Sequence, residues 1–309
     1  MPPIEIRPFH RRDRDQLTYL INAHIDAVVP GISFSPNTVL GQLEREPGEY
    51  VVDPWVCERH TLVAVHRDRV AGAAHLLRYA DAERVSAGMR GLGELRWCVF
   101  WPGQHPRGRA EMIEVADALV AAALAHLRGC ARIAADGALP APGVYGIPDR
   151  WPHVAATLER AGFVVGEREE AVLAARIDDL PEPGPPPLPG LSRHVALGGH
   201  ATRFSALLDG EVVGMYEVHA DLTAGGTHSR LAGWADAWEC WVRPDLRRRG
   251  IATWLLGHAA DRLRFADVRR LLECAITMPA GEDEGSLAFL LARGFRELTR
   301  TRRDWTLAP

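Results

Sequence analysis

Apolar positions in this chain fall into strand-like and helix-like runs, and the order of the runs repeats. In the first half they predict a strand at 3–8, a helix at 13–28 and a hairpin at 61–78 turning at His66-Arg67-Asp68-Arg69. A strand at 93–101, a helix at 109–127, a strand at 130–135, a helix at 150–161 and closing strands follow. The second half predicts a hairpin at 203–219 around Asp209-Gly210 and a strand at 234–243. A helix at 251–264 comes next, with Ile251, Trp254, Leu255, Ala259 and Leu263 at helical spacing. A strand at 269–277, a helix at 284–293 and a strand at 296–308 end the series. Strands and helices alternating after a hairpin predict α/β (α+β) domains, each a mixed, mainly antiparallel central sheet flanked by helices. Too little chain precedes the second hairpin to repeat the first half's opening helices.

The pattern breaks at Leu180-Pro181-Glu182-Pro183-Gly184-Pro185-Pro186-Pro187-Leu188-Pro189-Gly190. Proline lacks the N–H that a ladder needs, so this run predicts an extended, semi-rigid linker. It sets domains at 1–180 and 191–309, joined by 181–190. The two share a register. Gly72 matches Gly214, Cys98 matches Cys240, Pro102 matches Pro244, Arg107-Gly108 match Arg249-Gly250 and Ala110 matches Ala252, all at an offset of 142 without a gap. Gly162-Phe163 match Gly294-Phe295 after a small shift. The series indicates a tandem duplication.

Composition narrows the class. A chain of 309 residues, 47% hydrophobic and 25% charged, is long enough for two globular domains. Its net charge of −4 offers no basic field for nucleic acid or an anionic membrane. No run approaches the ~18 apolar residues of a membrane helix, and the N-terminus lacks a signal-peptide pattern, so the cytoplasm is the expected location. Cys57, Cys98, Cys130, Cys240 and Cys274 are odd in number, without a Cys-x-x-Cys pair, and read as reduced thiols. The 13 histidines show no ligand spacing, so no metal is expected. Lysine is absent, which leaves the chain no lysine side chain to acetylate.

The most informative stretch is Trp241-Val242-Arg243-Pro244-Asp245-Leu246-Arg247-Arg248-Arg249-Gly250-Ile251-Ala252. A buried strand ends in a turn, and an Arg-x-x-Gly-x-Ala loop opens a helix. Such a bend aims backbone N–H groups and a helix N-terminus at a phosphate. Here the chain resembles the GNAT acetyltransferase superfamily, whose acetyl-CoA pyrophosphate loop has this pattern between a strand and the following helix. The plainer alternative is a solvated arginine run at an ordinary helix start. The resemblance implies an acetyl-CoA site formed by Trp241, Val242, Arg247, Arg248, Arg249, Gly250, Ile251, Ala252 and Thr253, with Asp283 and Ser286 from the later helix. It also implies that the backbone N–H near Val242 binds the acetyl oxygen. At the matching place the first half has His105-Pro106-Arg107-Gly108, where Pro106 removes one donor, so that half reads as degenerate.

Acyl transfer to an amine requires a base for the ammonium proton and a polarised carbonyl. Asp236 lies six residues before Val242, where members of the family often carry the base, and Glu239 is the second candidate. Period-two alternation puts Asp236, Trp238, Cys240 and Val242 on one face and Glu239 on the other. A salt bridge at a wet strand end would explain Asp236 equally well. Glu217, His219 and Asp221 are weaker candidates for holding a cation. The family's usual tyrosine acid falls at Leu290, and at Leu158 in the first half, so Tyr216 is the substitute candidate. Of the tryptophans at 234, 238, 241 and 254, most read as core, with an aromatic pocket wall as the alternative. The expected function is acetyl-CoA-dependent N-acetyl transfer to a small amine in a ternary complex. The alternative is a non-catalytic acyl-CoA-binding or interaction protein. No nucleic-acid or membrane partner is expected, and a homodimer stays open.

Overall fold

The computed structural model describes residues 3–44, 53–103, 106–197, 201–219, 233–277 and 284–307. These form two units. The first takes the described residues up to 169 together with 300–307, and the second takes those from 170 to 299. The Pro-rich segment 181–190 therefore lies inside the second unit, not between two units.

The first unit contains β1 (Glu5–Pro8), α1 (Arg14–Val28), α2 (Pro36–Leu43), β2 (Val56–His66), β3 (Arg69–Tyr79) and β4 (Leu92–Phe100). It continues with α3 (Pro106–His126), β5 (Arg132–Ala135), β6 (Ile147–Pro148), α4 (Pro152–Arg160) and β7 (Phe163–Val164). The helix α2 was not expected from the pattern. Its start signal is local: the Ser35 side chain accepts from the Thr38 N–H, and Pro36 opens the helix. β8 (Glu169–Arg176) leads into β9 (Ser192–Leu197), β10 (Thr202–Leu208), β11 (Glu211–His219) and β12 (Trp234–Val242). Then come α5 (Ile251–Phe265), β13 (Arg270–Thr277), α6 (Glu284–Leu291), β14 (Arg296–Arg302) and β15 (Trp305–Leu307).

One sheet has the order β1-β2-β3-β4-β5-β15-β7, and the other β6-β14-β8-β13-β12-β11-β10-β9. In each the sequential hairpin strands pair antiparallel, and one parallel pair, β4–β5 or β12–β13, follows. Two strands differ from expectation in their partners. β8 lies in the second sheet instead of closing the first. The segment 296–308 is two strands, broken where Asp304 takes φ 59°, and β15 completes the first sheet between β5 and β7. Alternation fixes that a segment is a strand, whereas its partner is set by packing far along the chain.

The duplication is visible residue by residue. Gly72 pairs with Phe100 and His75 with Trp97, while Gly214 pairs with Val242 and Glu217 with Glu239, all at the same offset of 142 as Pro102 and Pro244. Each hairpin-to-strand ladder also carries a bulge at the same place, with Arg96 extra in one and Trp238 in the other. The matched glycines have one physical reason. A Cβ on Gly72 would lie 2.9 Å from the Phe100 Cβ of β4 and 3.4 Å from Leu119 of α3, and one on Gly214 would lie 3.1 Å from Ile251 Cγ2 of α5 and 3.4 Å from Val242 of β12, because the neighbouring strand and the covering helix both close in on the glycine.

The Pro-rich segment is docked along α5. Trp254 Nε1 donates to the Gly184 carbonyl at 3.0 Å. A Cβ on Gly257 would meet the Glu182 carbonyl oxygen at 2.8 Å, and Arg264 donates to the carbonyls of Ile177 and Leu180. At the helix start, a Cβ on Gly250 would lie 3.2 Å from Pro187 Cβ. The segment thus runs antiparallel to α5 and covers a side of it in the manner of a strap.

Candidate active site

The site begins where two parallel strands part. β12 pairs with β13 at Trp234, Ala235 and Asp236, and among the described residues the two strands share no pairing beyond Asp236. On its other side β12 stays bound to β11, where the Arg243 N–H donates to the Val213 carbonyl at 2.9 Å. Backbone groups alternate in direction along a strand, so the N–H of Val242 points away from β11, into the gap. The carbonyl of Val242, on that same side, accepts from Arg247 Nε at 3.1 Å.

Beyond Val242 the chain turns through a short 3-10 segment, Pro244–Leu246, and reaches the arginine loop. Arg248 takes φ 65°, and Gly250 takes φ 87° as the residue capping α5. Two left-handed residues so close together bend the backbone sharply. The unpaired N–H groups of the first turn of α5 face outward from that bend. A cavity of about 560 Å³ opens here. Its walls bring together Trp241, Val242, Arg247, Arg248, Gly250, Ile251, Ala252 and Thr253 with Ser286 from α6, all of them expected cofactor residues. Arg249 is exposed and does not line the cavity. Asp283 and Asp221 lie outside the described residues.

Sequence reasoning missed the α6 side of the cavity apart from Ser286. Gly285, Phe289 and Arg293 line it, and the Arg293 Nε is buried without a hydrogen-bond partner. A buried guanidinium nitrogen of that kind suits an anionic or carbonyl acceptor. The free N–H groups, the arginines and the cavity together fit a phosphate-bearing thioester with a long flexible arm. Leu290, at the position of the family's tyrosine, is fully buried in the core and offers no proton.

The acids are arranged differently from expectation. Glu217 pairs with Glu239 but Val218 with Ala237, so Trp238 is a bulged extra residue and the alternation changes phase there. Asp236 sits opposite His219, Glu239 opposite Glu217 and Trp241 opposite Met215, which puts all three on one face. Cys240 and Val242, opposite Tyr216 and Gly214, share the face that α5 covers. The grouping of Asp236 with Cys240 and Val242, and of Glu239 on the far side, assumed an unbroken strand and is corrected by the bulge. Trp238 is 66% exposed as a result. Trp234 and Trp254 are buried.

Asp236 is 8% exposed, and no hydrogen bond or ion pair reaches it among the described residues. Burial pushes its carboxyl up to about 7. On the α5 side, the Tyr216 hydroxyl donates to Glu273 Oε2, a buried acid in β13 that the sequence reading did not single out. Burial likewise raises Glu273 to about 7, and Asp236 adds to the shift, because two carboxyls near each other resist a second negative charge. Tyr216 rises well above 10 through burial and these acids, so its hydroxyl holds its proton firmly. Burial lifts the Cys240 thiol to about 12, which rules it out as a thiolate nucleophile at neutral pH. Asp236 and Glu239 do not line the cavity; they lie along the strand that forms its wall.

The first unit differs at each matching place. Gly108 lies within α3, which starts at Pro106 and runs straight through the residues that form the bend in the second unit. His105 is outside the described residues. Phe100 stands at the position of Val242, and His153 at that of Gly285. Their rings touch edge to face with centroids 4.9 Å apart. His24 adds a contact to His153, Nε2 to Nε2 at 3.1 Å, and burial lowers both imidazoles to about 4, so both are neutral. Groups that stand apart as cavity walls in the second unit are in contact in the first. Glu94, the counterpart of Asp236, is paired with Arg96 at 2.9 Å and accepts from the Tyr79 hydroxyl at 2.8 Å.

Comparison with known proteins bears on the fold and on the family of the second unit. The acetyltransferase (GNAT) family model matches residues 169–295. A tandem GNAT protein from the clavulanic acid biosynthesis pathway superposes with a TM-score of 0.62 at 17% identity, covering 99% of both chains. A GCN5-related N-acetyltransferase from Sphaerobacter thermophilus gives 0.61 at 16% identity, covering 99% of this chain and 96% of that one. A GCN5-related glucosamine N-acetyltransferase region of a fungal multi-domain GH3 β-N-acetylglucosaminidase gives 0.63 at 13% identity, with 38% of that longer chain covered. No curated protein matches by sequence. Among the described residues, no helix is long and apolar enough to cross a membrane.

Proposed function

We propose, on the premise that residues 169–295 form a domain of the acetyltransferase (GNAT) family within a tandem GNAT fold, that the second unit transfers an acetyl group from acetyl-CoA to a small amine. The observation that carries the reading is the cavity where β12 leaves β13, opening onto the left-handed loop before α5. Acetyl-CoA supplies an acyl group activated as a thioester. The loop N–H groups with Arg247 and Arg248 hold its phosphates, and the walls of β12 and α6 take its arm. The N–H of Val242 is a donor for the acyl oxygen.

Asp236 takes up the proton of the incoming ammonium through a chain of waters, since His219 and Gly214, the cross-strand partners of Asp236 and Val242, are five residues or roughly 17 Å apart. Its raised pKa suits it to this, since a base poised near 7 both takes and releases a proton at neutral pH. The amine attacks the acyl carbon in a ternary complex, and the departing thiolate takes its proton from solvent, because Leu290 has none to give. Glu239 shares the face of Asp236 but is exposed, and it serves the acceptor's charge better than its proton. Tyr216, committed to Glu273, is a supporting residue in this scheme. The first unit, with its straight helix and closed ring contacts, acts as a scaffold without cofactor.

Calorimetric titration of acetyl-CoA into wild type and Gly285→His tests the reading. A Cβ at Gly285 meets nothing within 4 Å, so the substitution copies the first unit without disturbing packing. The expected outcome is binding by the wild type, loss of binding by Gly285→His with unchanged melting, and CoA release with amines. Absence of binding by the wild type would sink the proposal. Binding without turnover over a broad amine panel would favour the non-catalytic alternative.

A further inference from the structure

We propose that Arg293 is a second anion-binding point of the cavity, apart from the loop before α5, and that it takes the 3′-phosphate on the ribose of the cofactor. The protein would then distinguish CoA thioesters from their 3′-dephospho forms. This rests on the reading that the cavity takes acetyl-CoA.

α6 turns one stripe of side chains to the cavity. Ser286, Phe289 and Arg293 recur at helical spacing and line it, while Leu290 faces the core. Arg293 sits in the turn that closes α6, where its backbone N–H donates to the Leu290 carbonyl at 2.9 Å. Its guanidinium lies over the Phe289 ring, 6.0 Å from the centroid. A contact with the face of a ring uses none of the N–H donors. The Nε is buried and has no acceptor among the described residues. A buried donor left unpaired is costly, and an anion in the cavity removes that cost. Arginine meets phosphate with two parallel N–H bonds, and Nε with a neighbouring Nη forms such a fork.

The duplication shows how an arginine of this turn behaves in the copy without a cavity. Matching Gly162-Phe163 to Gly294-Phe295 sets Thr157 against Phe289 and Ala161 against Arg293. The first unit carries its arginine one place earlier, at Arg160, and binds it within the fold. There Nη2 lies 2.7 Å from Asp117 Oδ1 of α3 and 3.0 Å from Thr157 Oγ1, and Nη1 donates to the Ala156 carbonyl at 3.0 Å. At the offset of 142, Ala259 takes the place of Asp117. The second unit therefore has its arginine on the cavity stripe and an alanine where the first unit keeps the acid.

The ligand's own charges say which group Arg293 meets. Acetyl-CoA carries a diphosphate bridge and, separately, a phosphate monoester on its ribose that is close to doubly charged at neutral pH. The bend before α5, with its free N–H groups, suits the diphosphate. The acetyl end is neutral. A cation on the α6 wall thus has the monoester left to bind, with the Phe289 ring beside it as an apolar surface.

Calorimetric titration of acetyl-CoA, its 3′-dephospho form and succinyl-CoA into wild type, Arg293→Gln and Arg293→Lys tests this. The wild type should bind acetyl-CoA at least about tenfold more tightly than the dephospho form. Arg293→Gln should bring acetyl-CoA down to the dephospho level, with the dephospho affinity and the melting temperature unchanged. Arg293→Lys should recover part of the preference, since it keeps the charge and loses the fork. Equal binding of the two forms by wild type, or a preference that survives Arg293→Gln, would overturn the proposal while the cofactor reading stands. So would a preference for succinyl-CoA over acetyl-CoA that Arg293→Gln abolishes, because the arginine would then read a carboxylate at the acyl end. Absence of acetyl-CoA binding by wild type would sink the cofactor reading and this proposal with it.

Discussion

At the scale of single residues, Asp236 ties stability to function in opposite directions. Its carboxyl rises from an unfolded value near 4 to about 7 in the fold, so the folded protein holds a proton that the unfolded chain releases. The stability this contributes is full below about pH 4 and is lost as pH rises through 7. Asp236→Asn, which imitates the protonated acid, should therefore leave melting at pH 4 almost unchanged. At pH 8 it should stabilise the protein by an amount on the order of 2–4 kcal/mol. Thermal unfolding at the two pH values measures this. The same base predicts a kcat/KM that climbs with pH and levels off above about 7, and Asp236→Asn should lower the plateau by about a hundredfold or more. A profile flat between pH 5 and 9 in the wild type would remove Asp236 from the mechanism. Glu273 was invisible as a site residue because one acid inside Leu271-Leu272-Glu273-Cys274-Ala275 carries no motif; its only signal is a charge in a run that should be buried.

Elements explain which parts of the site could be read in advance. The hairpins, β12 and α5 follow from local pattern and turn chemistry, and the loop before α5 was legible because glycine and the arginines there have a local reason. The bulge at Trp238 was not legible, since a single inserted residue leaves each neighbour as strand-like as before. It still reversed the face of Asp236 relative to Cys240. The strap is another element whose composition suggested one role and whose packing gave it another. Its prolines keep it extended, but Gly257 and Trp254 of α5 hold it in place. Gly257→Leu puts a Cβ against the Glu182 carbonyl and should cost about 1–3 kcal/mol in a denaturant titration. Trp254→Phe removes one hydrogen bond and should cost about 1 kcal/mol.

At the scale of the whole molecule, two copies of one pattern have diverged by small means. A helix begins at Pro106 in one copy and at Ile251 in the other, and this difference alone decides whether a phosphate-sized bend exists. A histidine replaces a glycine and brings two walls into contact. The halves were legible as copies because the offset of 142 needs no gap from hairpin to loop, as Gly72 with Gly214 and Pro102 with Pro244 illustrate. The placement of β8 and β15 was not legible, since strand partners are chosen across more than a hundred residues. β15 lies between β5 and β7, with Trp305 fully buried. Ending the chain at Arg302 should therefore raise hydrogen exchange in β5 and β7 while leaving β10 to β12 protected.

That inserted strand also sets an order of events during synthesis. Chains emerge from the ribosome N-terminus first, and domains commonly fold as they appear. The first unit's sheet cannot do so. It must wait with a slot between β5 and β7 while the whole of the second unit is made, exposing two strand edges of the kind that invite wrong pairing. Only residues made after the whole of the second unit fill the slot, so the half that is begun first closes after the other has been made.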